Sequence, residues 1–155
     1  MSLVLSVRVY GILINDQRQV LVSDEYIRGN YYTKFPGGGL EIGEGTRDCL
    51  AREFKEEMNL SVAIGDHIYT TDFFQQSAFN AAHQILSVYY FATALEAITV
   101  PLRDKKFDFD ESQLQVYGQT KQIETFRFIN REDFGANQLT LPIDKIVADM
   151  LKQKL

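Results

Sequence analysis

Glu53, Glu56 and Glu57 carry the most legible chemistry in this sequence. At 100° per residue, Glu57 lies ~40° to one side of Glu53 on a helical wheel and Glu56 ~60° to the other. A helix there places three carboxylates on one face. Like charges at these spacings repel, so the arrangement is costly unless something binds it. Grouped carboxylate oxygens are the ligands that hard divalent cations such as Mg²⁺ or Mn²⁺ take. The bland alternative is a solvated acidic face, but a face made for solubility would interleave its signs. Only Arg52, four residues before Glu56, is placed to pair within the helix. The acidic face borders the apolar stripe of Leu50, Ala51, Phe54 and Met58 instead of opposing it. Cys49 falls on the acidic side. Upstream stands Gly37-Gly38-Gly39, three residues that lose the most backbone entropy on ordering yet let a backbone come close to a ligand. Arg28 and Lys34 precede them, as cations able to meet phosphate or as ordinary surface charges.

These residues need elements to position them. Thr46 to Met58 reads as the helix, with Thr46 as its cap, Asp48 at its positive end and Asn59 in a left-handed terminal position. Phe35 to Gly39 reads as a loop, because Pro36 lacks a donor and the glycines permit unusual dihedrals. Leu3 to Ile14 reads as a strand that returns through Asn15–Arg18 into Gln19–Ser23 as a hairpin. Tyr26 to Lys34 is expected to be loop with a short strand. Strands are expected near 61–64, 68–74, 84–95 and 121–129, and a capped helical turn at 130–134. Pro101 to Gly118 has no clear period and is expected to be irregular. Pro142 to Leu151 places Ile143, Ile146, Val147, Met150 and Leu151 at helical spacing. Strands with one central and one terminal helix suggest a sheet covered by helices.

Composition bounds the setting. The 155 residues are expected to form one domain, 1–155, and the 45% hydrophobic and 24% charged fractions are those of a globular protein. A net charge of -5 argues against a nucleic-acid or membrane-surface binder. The apolar region 85–100 is too short and too polar to span a bilayer. Cys49 is a lone cysteine, so no disulfide forms within the chain, and a cytoplasmic setting fits. A homodimer is compatible with all of this.

The spacing Gly38, five residues, Glu44, seven residues, then Arg52-Glu53-Phe54-Lys55-Glu56-Glu57-Met58-Asn59-Leu60 resembles the signature of the Nudix hydrolases, the MutT-like pyrophosphohydrolases. Asn59 stands where the family has glycine, and Asn is the next most tolerant residue of a left-handed backbone. The resemblance implies an α+β fold, an α/β/α sandwich with a mixed sheet. It implies Mg²⁺ or Mn²⁺ held by Glu53, Glu56 and Glu57, with the Gly38 carbonyl as an addition. Arg52 would orient the glutamates and Glu44 would brace loop and helix. Gly37, Gly38 and Gly39 would let the backbone approach metal and phosphate. The implied reaction is hydrolysis of a nucleoside diphosphate linked to another group X, by water attack on phosphorus. A nucleotide-sensing domain without catalysis is the rival reading, disfavoured because each carboxylate of the motif is present.

Other candidates are weaker. Asp108, Asp110, Glu111 and Glu124 are candidates for a general base, each with an ordinary surface role as the alternative. Tyr31, Tyr32, Phe73, Phe74, Phe107 and Phe109 could stack a nucleobase, Phe107 and Phe109 foremost. His67 and His83 lack metal spacing. Gln75 and Gln76 stand where a proline would suggest an ADP-ribose hydrolase, so X is not legible.

Overall fold

Val, Leu and Ile dominate the opening stretch, and it forms a ten-residue strand, β1 (Val4–Leu13). The computed structural model describes residues 2–155; Met1 lies outside the described residues. Six more strands follow: β2 (Val20–Ile27), β3 (Asn30–Lys34), β4 (Gly37–Gly39), β5 (Val62–Thr70), β6 (His83–Ala94) and β7 (Gln122–Ile129). The α-helices are α1 (Thr46–Met58), α2 (Glu111–Thr120) and α3 (Pro142–Lys152). Among the described residues the fold is α+β, with a mixed sheet and three α-helices. None of those helices is long and apolar enough to cross a membrane.

The chain forms two compact units, one from the residues through Leu13 with Pro36–Thr99, the other from Ile14–Phe35 with Val100–Leu155. In the first, the sheet order is β4-β1-β6-β5. β1 runs parallel to β6, from Val4 opposite His83 to Leu13 opposite Ala92, and antiparallel to β4. α1 buries Cys49, Leu50, Phe54 and Met58, while Ala51 of the expected stripe stays half-buried. In the second unit the order is β3-β2-β7, antiparallel throughout.

Several expectations are corrected. The expected hairpin is cut short: the Asn15–Arg18 turn closes, with Asn15 N donating to the Gln19 carbonyl at 3.0 Å beside the antiparallel bridge Ile14–Val20, but β2 then pairs with β3 and β7. The stretch Tyr26–Lys34, expected as loop with a short strand, contains that strand as β3 but also the end of β2, joined to it by a tight turn. The strands expected near 61–64 and 68–74 are one strand, β5, bent by register shifts around His67. Such a bulge breaks the alternation that sequence reading relies on. Gly37–Gly39 is a strand and not a loop, because Arg8, Val9 and Tyr10 offer it a ladder. The irregular 101–118 segment contains most of α2. α3 matches its apolar spacing and buries Ile143, Val147, Ala148 and Leu151, but Ile146 is exposed.

α2 explains its own invisibility. All its residues are exposed or half-buried, so no apolar period marks it. It is held at its ends. Asp110 accepts a hydrogen bond from Gln113 N at 2.8 Å, and the Gln113 side chain returns one from Asp110 N at 3.0 Å, a capping box. Tyr117 stacks on Tyr26 at 4.1 Å, and Tyr26 stacks in turn on Tyr31 at 4.3 Å.

Beneath that ladder is a buried ion pair. Asp24 on β2 accepts from Arg127 Nε at 2.6 Å and Nη2 at 3.2 Å, and from Thr33 Oγ1 at 2.7 Å. Its second oxygen also accepts from Phe107 N at 3.3 Å. Phe107 has φ 57, a left-handed backbone that a bulky residue adopts only when held.

Candidate functional site

The acidic helix begins at Thr46, and its cap lies one residue before the expected one. Gly45 is the N-cap, with an extended backbone, and Asp48 accepts a hydrogen bond from Gly45 N at 3.3 Å. Thr46 is the first helical residue; its hydroxyl meets Tyr90 OH at 2.6 Å. At the other end Asn59 has φ 49 and its N–H reaches the carbonyls of Lys55 and Phe54. That is the left-handed ending an asparagine tolerates.

Arg52 is the centre of the polar geometry. Its Nε and Nη2 take both oxygens of Glu44, at 3.0 and 2.7 Å. Its Nη1 reaches Glu53 Oε1 at 3.0 Å and Glu56 Oε2 at 3.1 Å. Nη2 also donates to the Gly39 carbonyl at 3.1 Å. One guanidinium therefore joins the β4 backbone, the loop glutamate and two glutamates of α1. The two-pronged pairing with Glu44 suits a planar fork of donors. Glu44 accepts a further hydrogen bond from Glu41 N at 2.9 Å, which fixes the loop.

Electrostatics follow from this contact list. Hydrogen bonds from Arg52 foremost hold the Glu44 carboxyl down to about 2, and Glu44 in turn holds the Arg52 guanidinium firmly protonated. Cys49 lies under the same group, buried, with Sγ 3.5 Å from the Gly39 carbonyl. Burial pushes its thiol up to about 12. It is therefore a thiol at neutral pH and a packing residue, not a nucleophile.

Glu44 gives a pH prediction. A carboxyl depressed in the folded state stabilises the fold above its unfolded pKa, roughly 4.3, and that stability is lost as pH falls through about 2. Glu44→Gln should unfold at a lower urea midpoint than wild type above pH ~5. The gap should narrow steadily as the buffer is taken down toward pH 2. A gap that stays constant across that range would mean that Glu44 is not held by charge.

Gly38 and Gly39 are adjacent on β4 and face opposite sides of the sheet. A Cβ on Gly38 would collide with the Glu53 carboxylate. A Cβ on Gly39 would come 3.2 Å from Arg8 Nη1. The strand is thus bare on both faces, with a carboxylate laid on one and a guanidinium on the other. Gly37, at φ 151, could carry no side chain without meeting the Val9 carbonyl.

The structure brings Gly38, Gly39, Glu44, Arg52, Glu53 and Glu56 together in the first unit, with Glu57 half-buried on the same helix. Among the described residues, no three His, Cys, Asp or Glu side chains are gathered as a metal cluster. Arg52 draws Glu53 and Glu56 to itself. The all-carboxylate donor set nonetheless suits a hard cation, and the open Gly38 face leaves Glu53 room to serve. Phe73 and Phe74, both exposed, also belong to the first unit, as do His67 and His83, and the other candidates belong to the second. Arg28 sits exposed in the turn between β2 and β3 with φ 47. Lys34 is buried against Glu25 at 2.9 Å. Asp110 caps α2 and accepts from Arg103 Nη2 at 3.0 Å, while Glu124 accepts from Ser23 Oγ at 3.0 Å. Asp108 and Glu111 are exposed. Phe107 leans on Tyr31 at 4.9 Å and Phe109 on Tyr26 at 6.4 Å, so these rings extend the aromatic ladder. Arg8, legible in the sequence only as a charge interrupting an apolar strand, is the residue that sequence reading passes over. Its alignment with Gly39 depends on strand register, which no local signal reports.

Comparison with known proteins is consistent with this geometry. The profile of the family described as the NUDIX domain matches residues 4–149. No curated protein matches the sequence. Among solved structures, the chain is similar to a MutT protein from Methanosarcina mazei Go1, with TM-score 0.67 and 12% identity over 99% of this chain and 97% of that one. It is similar to a MutT NUDIX hydrolase from Burkholderia pseudomallei, with TM-score 0.67 and 14% identity over 94% of this chain and 97% of that one. An ADP-ribose pyrophosphatase from Streptococcus suis 89-1591 gives TM-score 0.58 and 16% identity over 94% and 86%. At these identities the likeness is one of fold.

Proposed function

Because the chain belongs to the NUDIX family, we propose that residues 1–155 act as one domain that hydrolyses a phosphoanhydride bond. The substrate is a nucleoside diphosphate linked to a further group, such as a nucleoside triphosphate or a nucleotide sugar. Water attacks phosphorus. The observation that carries this reading is the Arg52 hub, which ties Glu44, Glu53 and Glu56 to the bare glycine strand. Glu53, Glu56 and Glu57 would hold Mg²⁺ or Mn²⁺, with the Gly38 carbonyl as a further oxygen. Once bound, the metal supplies charge neutralisation of the diphosphate and a lower pKa for the attacking water. The chain's own residues do the rest. Glu44 fixes the Arg52 fork, and Arg52 aims two carboxylates that would otherwise repel. Gly37 to Gly39 admit a polyphosphate close to backbone.

The reaction is tested with a panel of nucleoside triphosphates, nucleotide sugars, ADP-ribose and dinucleotides in ¹⁸O-labelled water with either metal. A triphosphate should give monophosphate and pyrophosphate, with label on a phosphate. Label on a sugar carbon, or free base, would mean the wrong bond. Binding without turnover across the panel would support a sensor. For the metal, Glu57→Gln removes one charge and keeps shape. Calorimetric titration should show weaker Mg²⁺ and Mn²⁺ binding with the circular dichroism of the fold unchanged; unaltered affinity would remove Glu57 from the ligand set.

A further inference from the structure

Four cationic side chains belong to the first unit: Arg8, Arg47, Arg52 and Lys55. Each has its own surroundings. Arg52 is surrounded by carboxylates, with Glu44, Glu53 and Glu56 within hydrogen-bond reach. Arg47 donates to the carbonyls of Ile64 at 3.1 Å and Gly65 at 2.8 Å, and its guanidinium lies over the Tyr90 ring at 4.6 Å. Lys55 is exposed in the last turn of α1, turned away from the acidic face. A polyphosphate approaching this acidic unit needs a cation, and Arg8 stands on the face of the glycine strand away from the Glu53 carboxylate.

Its placement is specific. Arg8 pairs with Gly39 across the β1–β4 ladder. Its Nη1 would stand 3.2 Å from any Cβ on Gly39, so the guanidinium lies along the space that the missing side chain leaves. Tyr10, two residues on and on the same face, steadies it: Arg8 Nε donates to Tyr10 OH at 3.3 Å, and the guanidinium carbon is 5.9 Å from the Tyr10 ring. The side chain is half-buried, which strengthens its field relative to a fully solvated arginine. A guanidinium offers five donors in a plane and pairs two oxygens of a phosphate at once.

We propose that Arg8 is a phosphate-binding residue of this site, gripping a diphosphate oxyanion on the face of β4 opposite Glu53. The proposal rests on the phosphohydrolase reading for its ligand class. It assigns Arg8 to binding the polyanion and not to the bond-breaking step. Gly39 is then bare for a reason of its own, to leave the Arg8 guanidinium lying against the strand.

The test uses the full chain with saturating Mg²⁺ and inorganic pyrophosphate as the probe, titrated calorimetrically. Arg8→Gln keeps a polar side chain and removes the charge. Its pyrophosphate affinity should fall at least ~10-fold, the scale of a lost charge-assisted hydrogen bond, while Mg²⁺ affinity is unchanged. Arg8→Lys should recover part of the loss, since it restores charge without the fork. In wild type, the Arg8 Nε–H resonance should shift on adding pyrophosphate, a readout independent of any variant's folding. Equal affinity in wild type and Arg8→Gln, or an Arg8 resonance that does not respond, overturns the proposal. Arg8-dependent pyrophosphate binding with no hydrolysis across the nucleotide panel would uphold it while rejecting the catalytic reading.

Discussion

Under the proposed phosphohydrolase reading, Glu56→Gln should lower kcat by at least ~100-fold on whichever substrate of the nucleotide panel is hydrolysed, the scale expected for removing a key catalytic or charge-stabilising group. Glu56 is exposed at the surface of α1, with its side chain 59% accessible. The substitution therefore leaves the packed stripe of Leu50, Phe54 and Met58 untouched. A fall in kcat can then be read as chemistry and not as unfolding. The same variant loses an Arg52 partner, yet Arg52 keeps Glu44 and Glu53. A thermal midpoint within a few degrees of wild type should accompany the lost rate. A Glu56→Gln protein with rates within a few-fold of wild type would show that Glu56 is an acidic surface residue and no more.

The second large effect concerns stability. Asp24→Ala should cost about 3–5 kcal/mol, because it strands a buried arginine. Asp24 is fully buried and Arg127 nearly so. Removing the carboxylate also orphans Thr33 Oγ1 and the Phe107 N–H. Phe107 would lose the bond that holds its left-handed backbone, and the 101–110 segment should loosen with it. Urea unfolding followed by circular dichroism measures the cost. A change below ~1 kcal/mol, the size of an exposed ion pair, would mean that Arg127 finds another partner or water in the variant.

What the sequence could and could not reveal follows from what each feature depends on. α1 was readable to its ends, Thr46 and Met58, because its apolar stripe and left-handed Asn59 are local signals, although its cap is Gly45 and not Thr46. α3 was readable from its apolar spacing and from Pro142 at its start, without a side-chain cap or a left-handed end. α2 had only Asp110 and Gln113 at capping-box spacing to announce it, since Leu114 and Val116 are exposed and give no buried period. Pairing was the least legible property. Gly37–Gly39 becomes a strand through partners on β1, and β1 finds its long partner in β6. Neither is visible to a reading that joins neighbouring segments first. The carboxylates of α1 were located by spacing, whereas Arg52's four-way contact and Arg8's place beside Gly39 are products of register and packing.

The parallel pairing of β1 with β6 also sets the order in which this chain can be made. Val4 to Leu13 leaves the ribosome long before His83 to Ala94 exists. Closing so wide a loop before its contacts form is entropically expensive. Until then β1 has only the three-residue β4 beside it, and one edge of an apolar strand stays open to other chains. The nascent first unit is therefore most exposed to misassociation during synthesis of the stretch between α1 and β6, and a chaperone that shields strand edges would act there.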